Sequence, residues 1–347
     1  MKKVVVGMSG GVDSSVTAIL LQQQGYEVIG VTFVFTEDFD ATDAIKVCKK
    51  LDIKHRIIDY KKEFEETVIN KFISDYNNGI TPNPCVLCNR YIKFKFLYKA
   101  MQDLNCDYMA TGHYAKVIDN KLYKSADLNK DQTYFLCEIT KEQLSKVLFP
   151  LEGIEKSKVR EIALKYNLIN VNKKDSTDVC FITSKFKKYM TNKTNSECGP
   201  VINILTKEII GTHNGLNRYT IGQRKGLGIG GTAERMFVVG KNIDKNILYV
   251  CLGENSDYLI SDACVIDSVN WLSDEKLNHC TAKFRYRQQD NEVDLEWLSE
   301  NEILVKYPQG VKAVTPGQTC VFYNGEECLG GGIIKDVLKN NKKLWYL

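Results

Sequence analysis

Apolar and polar residues alternate with two different periods in the first half of the chain. Four short runs predict strands, at positions 4–6, 27–34, 54–58 and 107–110. Between them, apolar residues at helical spacing predict helices, at 16–24, 41–51, 63–76 and 91–104. Alternating strands and helices favour an α/β fold with a doubly wound parallel sheet. Such a sheet binds its ligand at the carboxyl ends of its strands.

The pattern changes after residue 185. A polar stretch at 185–200 predicts a helix and then a linker, and short strands follow. The last part of the chain has turn signals at regular intervals, including Asn324-Gly325, which predicts a β-hairpin. A small antiparallel barrel fits this part best. We therefore expect three domains, an α/β domain at 1–185, a central domain at 186–255 and a C-terminal β-barrel at 256–347.

Composition narrows the class of protein without fixing its function. The 347 residues are 44% hydrophobic and 26% charged, as in ordinary globular proteins. The longest apolar run, at 28–35, is too short to span a membrane, and no leader sequence precedes the first strand, so we expect a cytoplasmic protein without a membrane partner. Twelve cysteines in a reducing compartment are not expected to form a disulfide framework. Cys251 and Cys320 lie in strand-like runs and are expected to be buried.

The loop after the first strand carries the first chemical signal. It reads Ser9-Gly10-Gly11-Val12-Asp13-Ser14 and leads directly into a helix. Unpaired backbone N–H groups and the helix dipole favour an anion there, and the glycines let the backbone approach a phosphate closely. The loop lacks the lysine of GxxxxGK[ST] and is not a GxGxxG loop. The form SGGxDS is typical of enzymes that cleave ATP between the α and β phosphates, with Asp13 available to hold Mg²⁺.

Three cysteines carry the second signal. Cys85 and Cys88 form a CxxC motif just before a predicted helix, whose N-terminus is expected to favour thiolates. A single CxxC is compatible with redox, zinc or iron–sulfur chemistry, and a zinc ribbon would need a second CxxC that the chain lacks. Cys180 stands in the segment 175–182, which reads Asp-Ser-Thr-Asp-Val-Cys-Phe-Ile. By itself, such a cysteine is more often a small buried residue than a catalyst.

Eight motifs in a fixed order carry a resemblance to a known family. They are found at 7–15, 81–89, 110–115, 130–135, 175–182, 219–231, 285–288 and 315–318. Together they resemble the bacterial tRNA-specific 2-thiouridylase family, which belongs to the pyrophosphate-loop ATPase superfamily. The resemblance implies an N-terminal fold like that of the adenine nucleotide alpha hydrolases. It makes the domain at 1–185 the ATP-pyrophosphatase catalytic domain and the central domain at 186–255 a tRNA-binding domain.

The resemblance also implies a reaction. ATP adenylates the C2 oxygen of the wobble uridine in the tRNAs for lysine, glutamate and glutamine, and sulfur then displaces AMP to give 2-thiouridine. It implies that Cys88 is the nucleophile and Cys180 carries a persulfide, that the two form a disulfide when sulfur is delivered, and that Asp13 is needed for adenylation. The sulfur would come from a cysteine desulfurase, directly or through a relay protein.

Two binding sites follow from the same resemblance. Residues matching the family's ATP site are Gly7, Met8, Ser9, Gly10, Gly11, Val12, Asp13, Ser14, Phe33 and Gly112. Residues matching positions that touch tRNA are Asn83, Pro84, Cys85, His113, Lys130, Asp131, Gln132, Arg285, Tyr286 and Gln318.

Two basic segments suggest RNA contacts independently of the family. Strand alternation along 283–287 would put Lys283, Arg285 and Arg287 on one face, where they could meet phosphates or form an ordinary solvated face. The segment 222–231 has five glycines around an Arg-Lys pair, which suits either a flexible turn or a mobile RNA-docking loop. The net charge of +4 adds only weak support for a polyanionic partner.

The chain departs from the family pattern at three places. Cys85 stands where the family commonly has aspartate, so Cys85, Cys88 and Cys180 could hold a 4Fe–4S cluster. We favour this cluster over a cluster-free persulfide relay. Asp178 replaces a glycine, and the tryptophan-containing acidic insertion after Val31 is missing. Two other functions stay open, a tRNA-binding iron–sulfur protein without thiolation activity and another pyrophosphate-loop synthetase.

Overall fold

A computed structural model describes residues 1–173, 179–181, 193–194, 197–229 and 235–347. Asp178, Gly230–Gly231 and most of the helix and linker predicted at 185–200 lie outside the described residues.

The N-terminal part is built on a five-stranded parallel sheet. Its strands are β1 (Lys3–Gly7), β2 (Glu27–Val34), β3 (Lys54–Asp59), β4 (Tyr108–Ala110) and β7 (Val147–Leu148). They lie in the order β3-β2-β1-β4-β7, and every neighbouring pair is parallel. The predicted doubly wound α/β sheet is therefore confirmed, with β1 at its centre.

Helices cover both faces of this sheet. They are α1 (Val12–Gln23), α2 (Thr42–Lys50), α3 (Lys61–Phe64), α4 (Asn70–Asn77), α5 (Pro84–Cys88), α6 (Phe94–Asp103), α7 (Thr133–Leu136), α8 (Lys141–Leu144) and α9 (Lys156–Lys165). Successive β1 valines point to opposite faces, so Val5 packs with α6 whereas Val4 and Val6 pack with α1, α2 and α9. One turn of π-helix, Glu65–Ile69, interrupts the helix predicted at 63–76, and a second, Asn89–Lys93, overlaps the start of the helix predicted at 91–104.

The central part contains a second, mixed sheet. Its strands are β8 (Gly199–Asn203), β9 (Ile209–His213), β10 (Met236–Asn242) and β11 (Ile247–Leu252), in the order β10-β11-β8-β9. A short 3₁₀ helix, Leu216–Arg218, precedes the glycine-dense segment. The core of this sheet also takes in Tyr346 from the end of the chain.

The C-terminal part is a closed barrel, as predicted. Its strands are β12 (Ile260–Trp271), β13 (His279–Lys283), β14 (Asn291–Trp297), β15 (Ile303–Lys312), β16 (Thr319–Asn324) and β17 (Glu327–Lys339). They are antiparallel in the order β12-β15-β14-β13-β16-β17, and β12 pairs with β17 to close the ring. The predicted hairpin joins β16 to β17, although its two-residue turn is Gly325-Glu326 because Asn324 still pairs with Glu327.

The barrel and the parallel sheet are joined by a small hairpin of the N-terminal part. Its strands are β5 (Lys116–Ile118) and β6 (Lys121–Tyr123), and β6 pairs with β17 through Leu122 and Cys328. Strand β18 (Lys342–Lys343) pairs with the other end of β17. The barrel is therefore held directly against the loops that follow β4.

Two expectations from composition can be compared with the fold. All twelve cysteines lie in the described part of the chain and are free thiols, and Cys251 and Cys320 are buried as predicted. No described helix has the length and apolar character needed to cross a membrane. The cytoplasmic location stays a prediction.

Candidate functional site

The loop between β1 and α1 has the geometry of an anion site. Gly11 is the N-cap of α1 and supplies no side-chain acceptor, so the first N–H groups of the helix have no side-chain cap. Gly10 has φ of 73°, and a Cβ there would lie 3.1 Å from the Asp43 Cβ, so this turn needs glycine. The hydroxyls of Ser9 and Ser14 lie 3.2 Å apart beside these N–H groups. The loop can therefore offer both backbone and hydroxyl donors to a phosphate.

The loop after β4 packs directly against this anion site. A Cβ on Gly112 would lie 2.7 Å from the Ser14 nitrogen and 2.8 Å from the Asp13 carbonyl carbon, so only glycine allows the approach. Phe33, near the carboxyl end of β2, is half-buried and lies 5.5 Å from Tyr60 between ring centroids. The strand ends therefore bring together the predicted ATP loop and Gly112.

Asp13 has a cationic partner that the sequence analysis missed. The ammonium group of Lys156 lies 2.6 Å from Oδ1 and 2.8 Å from Oδ2 of Asp13, and the hydroxyl of Tyr114 donates to Oδ1 at 3.0 Å. Lys156 is the first residue of α9 and stands 143 positions after Asp13. No sequence motif has a spacing that would predict a contact with so distant a lysine. The fold thus supplies an ammonium group to a phosphate loop that lacks its own lysine.

Two further side chains brace the loop from outside. Asn170 Nδ2 donates to the Gly10 carbonyl at 3.1 Å and to the Ser15 hydroxyl at 3.0 Å. Lys173 Nζ donates to the same carbonyl at 3.3 Å and pairs with Asp43 at 2.6 Å. These contacts hold the glycine turn in place, and neither residue was among the predicted site residues.

The CxxC motif lies on a nearly continuous helix at 84–103, formed by α5, a π-helical turn and α6. Cys85 is half-buried and Cys88 is only 4% exposed. Burial raises the pKa of both thiols, that of Cys88 to about 12. The expectation that the helix N-terminus favours thiolates is therefore wrong for this arrangement. Cys88 is the last residue of the short α5, and desolvation dominates.

Cys180 lies beside the CxxC motif but is exposed. Its neighbour Phe181 is 4% exposed and packs against Phe64 and Phe72, with ring centroids 5.3 and 5.6 Å away. Cys88 belongs to the same apolar cluster, and a charge on Cys180 raises the pKa of Cys88. The structure thus brings the predicted carrier and the predicted nucleophile together.

The three thiols do not fit the predicted cluster. Across the described ranges, which include Cys85, Cys88 and Cys180, no three Cys, His, Asp or Glu side chains are grouped so that they could hold a metal ion. Cys88 and Cys180 are both free thiols here, and a disulfide that forms only when sulfur is delivered stays a prediction.

His113, predicted to contact tRNA, is a neutral group between the phosphate loop and the helix that carries the CxxC motif. Its Nδ1 lies 2.8 Å from the Thr111 hydroxyl, and its ring packs 5.8 Å from that of Phe94. Burial, with a smaller effect of the nearby Lys93, lowers the pKa of His113 to about 3. The imidazole is therefore uncharged at physiological pH.

Several other predicted tRNA contacts form a framework rather than an exposed surface. Asp131 is buried, and its carboxylate accepts from the Ser125 N–H at 3.1 Å and the Thr133 hydroxyl at 2.7 Å. The Tyr286 hydroxyl donates to the Asp131 carbonyl at 3.1 Å. Gln132 Oε1 accepts a hydrogen bond from the backbone N–H of Tyr114 at 2.9 Å. These side chains hold the loops after β4 against the barrel.

Gln318 braces the loop before the CxxC helix. Its Nε2 donates to the carbonyl of Thr81 at 2.7 Å and lies 3.4 Å from that of Pro82. Asn83 and Pro84, also predicted to touch tRNA, follow directly at the start of α5. The barrel therefore holds in place the loop that leads into the helix of Cys85 and Cys88.

Arg285 is likewise committed to internal contacts. Its Nη2 lies 2.7 Å from the Ile221 carbonyl, 2.8 Å from the Ala313 carbonyl and 2.7 Å from the Thr315 hydroxyl. The predicted strand face at 283–287 is wrong, because β13 ends at Lys283 and the following residues turn.

The exposed cations lie next to Arg285 instead. Arg224 and Lys225 are exposed in the glycine-dense segment, whose start at Ile221 is held by Arg285. Arg287 is exposed two residues after Arg285, whereas Lys283 lies 3.5 Å from Asp290 in an ion pair. Lys130, another predicted tRNA contact, is half-buried.

Comparison with known proteins identifies the family. Three family models match consecutive parts of the chain, described as a tRNA methyl transferase HUP domain at 2–184, a tRNA methyl transferase PRC-barrel domain at 187–252 and an aminomethyltransferase beta-barrel domain at 261–334. The tRNA-specific 2-thiouridylase MnmA of Oceanobacillus iheyensis is 46% identical, covering 99% of this chain and 98% of that protein. The chain belongs to the tRNA-specific 2-thiouridylase family. The proteins of the same name from Mesoplasma florum and Bacillus subtilis are 47% and 45% identical, covering 96% and 99% of this chain and 98% of each relative. Membership confirms the resemblance, and the α/β sheet, mixed sheet and barrel follow the order of the three family domains.

Proposed function

We propose that this chain thiolates the wobble uridine of the tRNAs for lysine, glutamate and glutamine at C2, consuming ATP and releasing AMP and pyrophosphate. One observation carries the proposal. Gly112 packs on the ATP loop, and the ring of the next residue, His113, lies 5.8 Å from that of Phe94. Phe94 continues the helix that carries Cys88, and Cys88 packs in one apolar cluster with Phe181, the neighbour of Cys180. One short loop therefore contacts both the phosphate site and the helix of the sulfur groups.

The ATP half of the site suits pyrophosphate as a leaving group. The N-terminus of α1 and the hydroxyls of Ser9 and Ser14 supply hydrogen-bond donors, and Lys156 supplies a positive charge. Asp13 would hold Mg²⁺ together with phosphate oxygens, since this ion takes few protein ligands. Magnesium, when bound, neutralises phosphate charge during attack on the α-phosphate. Lys156 would then move from Asp13 towards the phosphates.

Adenylation solves a chemical problem of the substrate. The C2 oxygen of uracil is a poor leaving group, whereas the same oxygen bonded to AMP is a good one. The terminal sulfur of a Cys180 persulfide would attack C2, and AMP would leave with the oxygen. The Cys88 thiolate would then attack the Cys180 sulfur, break the S–S bond and release 2-thiouridine. A Cys88–Cys180 disulfide would remain and be reduced by an external thiol.

The exposures of the two thiols suit these different tasks. Cys180 is exposed and can accept sulfur from a cysteine desulfurase or a relay protein, whereas Cys88 is buried where a stray oxidant does not reach it. Cys85 would be dispensable in this relay and essential in a 4Fe–4S site. Replacing it therefore separates the two mechanisms.

We further propose that the chain divides into domains at 1–185, 186–255 and 256–347. In this proposal, tRNA binds across the central sheet and the C-terminal barrel. The exposed Arg224, Lys225 and Arg287 would meet phosphates, while Arg285 and Gln318 would position the loops behind them. The target base must leave its stack to reach the loop between the two half-sites.

The test is reconstituted thiolation with matched cysteine variants. Purified chain is incubated with ATP, Mg²⁺, substrate tRNA and a cysteine desulfurase with cysteine, and 2-thiouridine is measured by mass spectrometry of digested tRNA. We expect activity to be lost in Cys88→Ser and Cys180→Ser and kept in Cys198→Ser, whose cysteine is also exposed. A wild-type chain that forms no 2-thiouridine would refute the function.

The same assay with Cys85→Ser tests the mechanism. Retained activity, together with iron-free wild-type protein, supports the persulfide relay. Loss of activity together with loss of about four irons per chain would refute the relay in favour of a cluster.

A further inference from the structure

A lysine of the central sheet holds the end of a helix in the N-terminal part. Lys241 lies near the end of β10, and its ammonium group donates to the carbonyl of Gly79 at 3.1 Å. Lys241 is half-buried and pairs with no carboxylate among the described residues. Burying an ammonium group costs stability, so a role in holding Gly79 accounts for this lysine better than the stability of its own sheet does.

Gly79 is the residue at which helix α4 ends. It has φ of 71°, and its backbone N–H donates to the Tyr76 carbonyl while that of the next residue donates to the Asp75 carbonyl, as in a Schellman motif. A Cβ at Gly79 would overlap the Cδ1 of Ile243, two residues after Lys241. The end of α4 is therefore held by one hydrogen bond and one close apolar contact from the central part.

The same helix carries aromatic side chains that pack around the sulfur groups. Phe72 of α4 is buried, and its ring centroid lies 4.7 Å from that of Tyr76 and 5.6 Å from that of Phe181. Phe181 directly follows Cys180, and Cys88 packs in the same apolar cluster as Phe72 and Phe181. The position of α4 therefore sets how the segment of Cys180 lies against that of Cys88.

We propose that Lys241 is a positioning residue for sulfur transfer, acting through Gly79 and α4 on the segment that carries Cys180. This inference rests on the proposed function, because the transfer needs Cys180 and Cys88 close together. A displacement of reacting groups by about 1 Å can slow a reaction about a hundredfold, even when its cause lies far from the chemistry. The contact also links the central part, where tRNA is proposed to bind, to the sulfur groups.

A second contact holds the next part of the chain from the barrel. Gln318 donates to the carbonyl of Thr81 at 2.7 Å, two residues after Gly79, and so acts on the loop that leads to Cys88. Lys241 acts instead on the helix that precedes this loop. The barrel therefore positions the segment of the nucleophile, whereas the central sheet positions the aromatic cluster beside the sulfur carrier.

The experiment measures how readily the two thiols meet, without tRNA or ATP. Wild type, Lys241→Met and Lys245→Met are treated with diamide, which takes two electrons and two protons from a pair of thiols, and the Cys88–Cys180 disulfide is followed by mass spectrometry of the digested protein. Methionine is about as long as lysine but has no donor for the Gly79 carbonyl. Lys245 is the matched control, an exposed lysine in the turn between β10 and β11. We expect disulfide formation about tenfold slower in Lys241→Met and within about twofold of wild type in Lys245→Met.

A second variant disturbs the same contact from the other side. The added methyl group of Gly79→Ala would overlap Ile243, and alanine does not favour the positive φ at this position. This variant should therefore slow disulfide formation at least as much as Lys241→Met does. A wild-type rate of disulfide formation in Lys241→Met would overturn the proposal, as would an equal loss in Lys245→Met.

Pyrophosphate release separates positioning from a general loss of structure. In a single turnover with ATP and tRNA, its rate should be the same in Lys241→Met and wild type, because the phosphate loop is untouched. An equal loss of pyrophosphate release and disulfide formation would overturn the positioning role. If the wild type makes no 2-thiouridine while Lys241→Met still slows the disulfide, the proposed function fails and the positioning of the two thiols by Lys241 stands.

Discussion

Replacing Arg285 by alanine should destabilise the fold without removing a tRNA phosphate contact. The Arg285 Nη2 approaches the Ile221 and Ala313 carbonyls and the Thr315 hydroxyl within 2.8 Å. This nitrogen carries two hydrogens, so two of the three contacts can be well aligned at once. A hydrogen bond to a charged group contributes about 1.5–3 kcal/mol, so losing two costs about 3–6 kcal/mol. Burial also lowers the pKa of Arg285, which indicates a desolvated guanidinium group.

Thermal unfolding and salt-dependent tRNA binding measure the two roles separately. The unfolding midpoint of Arg285→Ala should fall by several degrees, whereas that of Arg287→Ala should not change, because Arg287 is exposed. Each phosphate contact contributes about 0.7–0.9 to the slope of log K against log salt. Arg224→Ala and Arg287→Ala should therefore each reduce this slope by about that amount. Arg285→Ala should weaken binding with the slope unchanged.

If Arg285→Ala unfolds at the wild-type temperature and loses one phosphate contact in its salt slope, the internal hydrogen bonds do not describe the protein in solution. Arg285→Lys supplies a second check, because a lysine keeps the charge but cannot reach two carbonyls with one planar group. Arg285→Lys should therefore unfold at about the same temperature as Arg285→Ala, although it keeps the net charge of the wild type.

Two further predictions concern the ATP half of the site. Lys156→Met should reduce the rate of pyrophosphate release at least about tenfold, because Asp13 loses its ammonium partner and the phosphates lose a cation. Lys158→Met, at an exposed position, should leave this rate unchanged. Equal rates in Lys156→Met and wild type would show that Lys156 has no role in the ATP site. The folded-state pKa of His113 is about 3, below its ordinary value of 6.5, so its contribution to stability is full above pH 6.5 and is lost as the pH falls towards 3. His113→Gln should therefore lose less stability than wild type between pH 7 and pH 4.5 in denaturant titrations. A parallel loss would contradict the neutral state of this half-buried imidazole.

The parallel sheet was predictable because its signals are local. Three consecutive valines in β1 are fully buried, and the glycine turn after them fixes where α1 begins. Parallel strands place all their carboxyl ends at one edge, so the meeting of Gly112 with the ATP loop also followed from the pattern. Binding loops that directly follow a predicted strand can be located from the sequence in this way.

The burial and pairing of individual side chains were not predictable. Lys156 meets Asp13 from the first turn of a helix far along the chain, and no spacing connects the two. Arg285 looked like an exposed cation because basic residues alternate there, but the end of β13 turns it inwards. The pKa of Cys88 depends on how much of the aromatic cluster covers it, which is a property of the packing. Each of these depends on tertiary contacts rather than on local pattern.

In the proposed mechanism, the neutral state of His113 leaves Lys156 as the cation for the phosphates. Lys156 lies against Asp13 of the phosphate loop, and His113 directly follows Gly112, which packs on the same loop. A charged imidazole at this place would compete with Lys156 for the phosphates. Burial lowers the pKa of His113 and keeps the imidazole uncharged, so the departing pyrophosphate would meet Lys156 alone. Sulfur would then add to C2 of the adenylated base, and AMP would leave from the tetrahedral adduct.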